Sequence, residues 1–158
     1  MLNRAVIAAT ALAVASLASA HDHGRGEVSV KVGGKSVSVE YGRPSLEGRD
    51  MLGQASDGMV WRMGADAQTS LTSEAAISFG DQTLEPGRYE LRARKISSAE
   101  WHLLVGDAGS PVATVPFEVA DLEESVETFT IELAGEGSAG TLTAKWGTKA
   151  LTAAFTAR

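Results

Sequence analysis

Between positions 41 and 66 the chain gathers residue types that grip an anion: Tyr41, Arg43, Arg49, Trp61, Arg62 and Asp66. An arginine presents a planar fork of donors that matches a carboxylate or a phosphate. An aromatic ring beside it offers a face on which a sugar or a base can stack. The functional expectation is a small anionic or glycan ligand held beside this loop. The plainer expectation is structural. Arg43, Arg49 or Arg62 would pair with Asp66, Glu47 or Asp50 and pin the loop to the body of the protein, with Trp61 in the core.

A second group lies at His21-Asp22-His23. Cleavage after Ala20 would leave a free amine, two backbone amides and the imidazole of His23, four nitrogens able to wrap Cu(II) or Ni(II) in a square plane. An alternative set uses the amine and ring of His21. A short histidine tract is a hint of metal binding and equally a polar start that aids processing. Met51, Met59 and Met63 carry thioethers suited to Cu(I), although methionine more often fills a core. His102 stands between Trp101 and Leu103 on an alternating run, which points it to the opposite face from both. It has neither a Gly-x-Ser-x-Gly elbow nor a His-Glu-x-x-His pattern for company. Asp121, Glu123 and Glu124 form an acidic connection, and nothing in the sequence sets two of them across a cleft as glycoside hydrolysis requires.

The elements that position these groups follow from the rest of the chain. Met1–Arg4 is a positively tipped start, residues 5–17 are small and apolar, and Ala18-Ser19-Ala20 is a small-x-small cleavage site. That order is the pattern of a secretory signal peptide over residues 1–20. A polar, flexible start over 21–26 and one domain over 27–158 are expected to follow, in the periplasm or outside the cell. No later stretch has the roughly 20 apolar residues that an anchor needs. The chain has no cysteine, which removes thiol catalysis and thiolate metal sites. Its 14 basic against 20 acidic residues argue against nucleic acid or an anionic membrane as the main partner.

Period-two alternation dominates residues 27–158. Val28, Val30 and Val32 alternate before Gly33-Gly34, and Val37, Val39 and Tyr41 alternate after it, a hairpin signal. Residues 42–58 break the pattern as a long loop with one helical turn near Asp50–Leu52. Short strands are expected at 59–63 and 69–73, a small hairpin over 76–84, and longer strands at 88–96, 101–105, 113–119, 128–133, 140–146 and 151–155. Tyr89, Leu91 and Ala93 point inward on the first of the longer strands. Residues 121–126 are read as one helical turn. About nine or ten strands with turns at regular spacing are the mark of an all-β fold, here a single antiparallel β-sandwich of jelly-roll or Greek-key type.

Three segments carry a family resemblance: Val39-Glu40-Tyr41-Gly42-Arg43-Pro44-Ser45-Leu46-Glu47-Gly48-Arg49, Val60-Trp61-Arg62-Met63-Gly64-Ala65-Asp66-Ala67, and Leu84-Glu85-Pro86-Gly87-Arg88-Tyr89-Glu90-Leu91. Their order resembles the bacterial family known as domain of unknown function 2911. That resemblance implies an exported, β-rich protein and carries no activity with it. Where family members have a longer aromatic and charged insertion after the strand matching Trp101–Val105, this chain has only Gly106-Asp107-Ala108-Gly109-Ser110. The expectation is a non-catalytic module binding a small molecule or a protein partner through the Arg-Pro loop, since loops on a rigid sandwich are where such sites sit. Copper binding through His21 and His23, and hydrolysis of a glycan or anionic substrate, are the alternatives.

Overall fold

The computed structural model describes residues 24–107 and 109–158. The signal-peptide reading and the His21/His23 metal reading fall outside these residues. Within them the alternating runs become strands. β1 (Arg25–Val32) and β2 (Lys35–Gly42) pair through the Gly33-Gly34 turn, each burying every second side chain. β1 opens at Arg25, inside the segment expected to be a flexible start, because Arg25 and Gly26 pair with Gly42 and Tyr41. A one-turn helix α1 (Met51–Gln54) follows, and Asp50 caps it by accepting a hydrogen bond from the Gly53 amide at 3.0 Å. Then come β3 (Val60–Trp61), β4 (Ser70–Ser73), β5 (Ile77–Phe79), β6 (Gln82–Leu84), β7 (Gly87–Ser97), β8 (Glu100–Asp107), β9 (Ser110–Pro116), β10 (Glu118–Glu136) and β11 (Ala139–Ala157).

These eleven strands form two packed antiparallel sheets, the expected all-β sandwich. The larger runs β1-β2-β4-β7-β8-β9, and β3 pairs with β7 beyond the end of β4, on the same edge. The smaller runs β10-β11-β5-β6. Other expectations change: the strand at 59–63 shortens to Val60–Trp61, and the one at 113–119 breaks at Phe117 between β9 and β10. The acidic stretch 121–126 is no helical turn but part of β10, where Asp121 pairs with Lys149 and register shifts flank Val126. The two terminal strands expected at 140–146 and 151–155 are one 19-residue strand, β11.

The core lies between the sheets. Val32, Val37, Val39, Leu71, Leu91 and Leu103 of the larger sheet and Ile77, Phe129, Leu133, Leu142 and Leu151 of the smaller are fully buried. Each such side chain stabilises the fold by about 1.5–3 kcal/mol on transfer grounds, and with no cysteine this core carries the fold. Both long seams between the sheets are closed by polar contacts. At one, the chain leaving β2 crosses over and adds to the free edge of β10. At the other, the side-chain amide of Gln82 donates to the Thr114 carbonyl at 2.7 Å and accepts from the Thr114 amide at 2.9 Å. That primary amide imitates a strand backbone and joins β6 to β9.

Candidate functional site

The Arg-Pro segment is a change of sheet. Gly42 ends β2, and Pro44, which has no N–H to lose, offers its carbonyl to the Phe129 amide at 2.9 Å. The Leu46 amide donates to the Glu127 carbonyl at 3.0 Å, and Ser45 forms a bridge with Thr128. The side chains follow the backbone across. Arg43 donates from Nε to the Phe129 carbonyl and from Nη2 to Thr130 Oγ1, both at 3.3 Å. The Tyr41 hydroxyl reaches the Ile131 carbonyl at 3.4 Å, and its ring meets Phe129 edge-on at 5.5 Å. Tyr41 and Arg43 are therefore engaged in fastening this crossover to β10.

Beyond it the loop doubles back over the end of the sandwich. Arg49 is exposed, and its Nε reaches the Leu46 carbonyl at 3.4 Å. The floor under the loop is Lys95, which is 4% exposed. Its ammonium donates to the carbonyls of Leu52 at 3.1 Å, Gly53 at 3.4 Å and Ala55 at 2.8 Å, and lies 5.8 Å from the centre of the Trp101 ring. Three donors thus meet three acceptors, and the face of Trp101 adds a cation–π contact. Arginine was expected to pin this loop by pairing with Glu47, Asp50 or Asp66. Among the described residues no arginine of the loop makes such an ion pair. The arginines donate to main-chain carbonyls, and a lysine holds the loop down.

Trp61 sits at the centre of an aromatic cluster that bridges the sheets. Its ring stacks on Trp146 of β11 at 5.6 Å and 14°, and meets Phe129 at 4.8 Å and Trp101 at 6.3 Å in edge contacts. Such pairs each add about 0.5–1.5 kcal/mol beyond burial. Trp61 is only half-buried, because one side of the cluster opens into a cleft of about 350 Å³. Trp61 and Trp146 form one wall, Met51, Leu52 and Ala55 of the α1 turn another, and Arg49, Gln54, Ser56 and Met59 the rim. Arg49 is the one charged side chain in this lining. Of the methionines weighed for copper, Met51 and Met59 share the cleft, whereas Met63 is wholly buried.

After Trp61 the chain turns out of the strand. Met63 adopts a left-handed φ of 54° and Gly64 a φ of 147°, which brings this segment against Gly42. A Cβ on Gly42 would collide with the backbone of Ala65, and one on Gly64 would lie 2.7 Å from the Gly42 carbonyl oxygen. Thr69 Oγ1 secures the turn by donating to the Met63 carbonyl at 2.7 Å. Arg62 and Asp66 are both exposed, and Arg62 Nη2 donates to the main-chain carbonyl of Asp66 at 2.5 Å.

The six candidate residues thus divide among three places: Tyr41 and Arg43 fastened against β10, Arg49 and Trp61 in the cleft, Arg62 and Asp66 outside it. His102 is half-buried beside Glu100, with Nε2 3.0 Å from Oε1. Lys95 and the Trp146 wall were missed from sequence. Lys95 carried a signal, for it continues the inward phase of Tyr89, Leu91 and Ala93 on β7.

No curated protein and no solved structure matches the chain. A family model does, over residues 24–155, the stretch that holds both sheets, the Arg-Pro crossover and the cleft. The chain belongs to the family described as protein of unknown function (DUF2911).

Proposed function

We propose that the protein is a binding module whose cleft beside Trp61 takes a small ligand combining a flat apolar face with an anionic group. The observation that carries this reading is the meeting of Arg49 with the open side of the Trp61–Trp146 stack in one cleft of about 350 Å³, a size in the usual range for small-molecule sites. The rings supply a face for stacking, Met51 and Met59 supply polarizable apolar contact, and the Arg49 fork fixes the anion. The lining contains a serine but no carboxylate or imidazole to serve as a base, which supports binding without turnover.

Anilinonaphthalene sulfonate joins an aromatic face to a sulfonate and is a direct probe. The native chain should bind it at one saturable site, with dye fluorescence rising and tryptophan emission quenched. Arg49→Gln should weaken binding about ten-fold, the loss expected for one charge-assisted hydrogen bond. No saturable binding, or equal affinity in Arg49→Gln, would overturn the reading.

A further inference from the structure

Trp61 and Arg62 are sequence neighbours that face opposite sides of the larger sheet. The antiparallel register Val60↔Arg94 and Trp61↔Ala93 places Val60 and Arg94 on the outer face and Trp61 with the buried Ala93 on the inner. Arg62 follows directly where β3 ends and is exposed, and its guanidinium reaches the same 66–68 segment that Arg92 reaches. There the arginines of three strands and turns converge on three consecutive residues. Arg62 Nη2 donates to the Asp66 carbonyl at 2.5 Å, Arg25 Nη1 to the Ala67 carbonyl at 3.2 Å, and Arg92 Nη2 to Gln68 Oε1 at 3.0 Å. Each contact uses one corner of a guanidinium that has five N–H donors. Arg94 lies two residues along β7, about 7 Å from Arg92 at the rise of a strand; it is exposed, and its side chain makes no hydrogen bond or ion pair among the described residues. Carboxylates offset part of this charge. Glu90 holds Arg92 at 2.9 Å, and Glu40 lies 3.8 Å from Arg25 and 3.9 Å from Arg88. The Asp66 carboxylate pairs with none of these arginines.

We propose that this outer face, centred on Arg25, Arg62, Arg92 and Arg94, binds an extended acidic polysaccharide. Arginine is the residue type suited to planar, bidentate recognition of sulfate, phosphate and carboxylate groups. The donors are spread over one face, with Arg25 on β1, Arg62 just past β3, and Arg92 and Arg94 on β7, and donors spread over several elements fit a chain that presents one anionic group after another better than they fit a single enclosed ion. The chain as a whole carries a net charge of −6, so long-range attraction opposes the encounter and binding depends on this local face. The surface is separate from the cleft, and each can fail alone.

Dextran sulfate is the probe, with neutral dextran, a single-stranded oligonucleotide and anionic vesicles as comparisons, starting from about 50 mM salt. The native chain should bind dextran sulfate in preference to all three. The slope of log affinity against log salt should shrink by up to about one unit for each arginine removed. Arg94→Gln is the decisive variant, because among the described residues no side-chain hydrogen bond or ion pair depends on it. Arg62→Gln should act in the same direction. Lys35→Gln, the same charge change at the remote β1–β2 turn, should leave binding unaltered. The proposal fails if dextran sulfate does not bind. It fails equally if Lys35→Gln weakens binding as much as Arg94→Gln, or if the oligonucleotide or the vesicles bind as well, since the attraction would then be unspecific charge.

Discussion

The ammonium of Lys95 lies 2.8 Å from the carbonyl oxygen of Ala55, forty residues earlier in the chain. That contact, with those to Leu52 and Gly53, holds the α1 turn over the end of the sandwich and so shapes one wall of the cleft. Lys95→Met keeps most of the volume and removes all three donors. Leaving buried carbonyls without partners should cost about 3 kcal/mol or more. Denaturant unfolding should read that loss, and proteolysis of residues 49–58 should accelerate. A variant within about 1 kcal/mol of native would show that the loop is held by something else.

The backbones of Gly42 and Ala65 touch with no room for a methyl group between them. Gly42→Ala should therefore displace one of the two segments and destabilise the protein by about 1–3 kcal/mol, the cost of overpacking. Gly34 is the comparison. It has nothing within 4 Å of a built Cβ but a φ of +79°, so alanine there meets strain alone, about 1–2 kcal/mol. Chemical shifts separate the two. Gly42→Ala should move resonances across residues 62–67, and Gly34→Ala only those of its own turn.

Gln82 bonds both main-chain groups of Thr114. Gln82→Leu breaks the link between β6 and β9 without touching the core between the sheets. The expected loss is about 1–2 kcal/mol for two partly exposed hydrogen bonds. The specific readout is the Thr114 amide, whose hydrogen exchange should accelerate while that of Leu103 and Leu133 holds. Unchanged protection at Thr114 would contradict the link.

β5 pairs with β11 at Ser78↔Thr156 and Ile77↔Ala157, with the Arg158 amide donating to the Ala76 carbonyl at 2.8 Å, and Phe79 packs on Phe155 at 5.7 Å. Ending the chain at Phe155 should free β5 and β6 as a unit. Amide exchange at Ile77, Ser78 and Thr83 should rise together while β1 and β2 keep their protection. Protection retained at Ile77 would mean that core packing, rather than strand pairing, holds β5.

Much of this architecture can be read from alternation alone. The β1–β2 hairpin, the inward phase of β7 and the capped turn at Asp50 are local patterns, and local patterns survive folding. The misreadings share one physical cause, that a residue's local character was outweighed by a distant partner. Residues 121–126 look like a solvated acidic turn until Lys149 stands opposite Asp121. Lys95 is a charged residue at an inward position, acceptable only because carbonyls forty residues away receive its donors. The candidate residues were grouped by proximity in the chain, which alternation contradicts for neighbours. Trp61 and Arg62 had to face apart, and their separation was legible from period two. The cleft wall built by Trp146 was not, since it depends on how β11 crosses β3.

The place of the β10–β11 hairpin in the chain dictates an order of assembly. Its pairing can start at Glu136↔Ala139, between residues close in sequence, and extend outward to Glu118↔Thr152 at little entropic cost per step. β5 and β6, by contrast, are made early and wait for a neighbour supplied by the last strand. A chain made N-terminus first can pair β1 with β2, but those valines lack the β10–β11 layer opposite them until residues 118–157 have been made. Closing of the sandwich therefore waits for β10 and β11, and until both are made the β1–β2 hairpin keeps one apolar face bare.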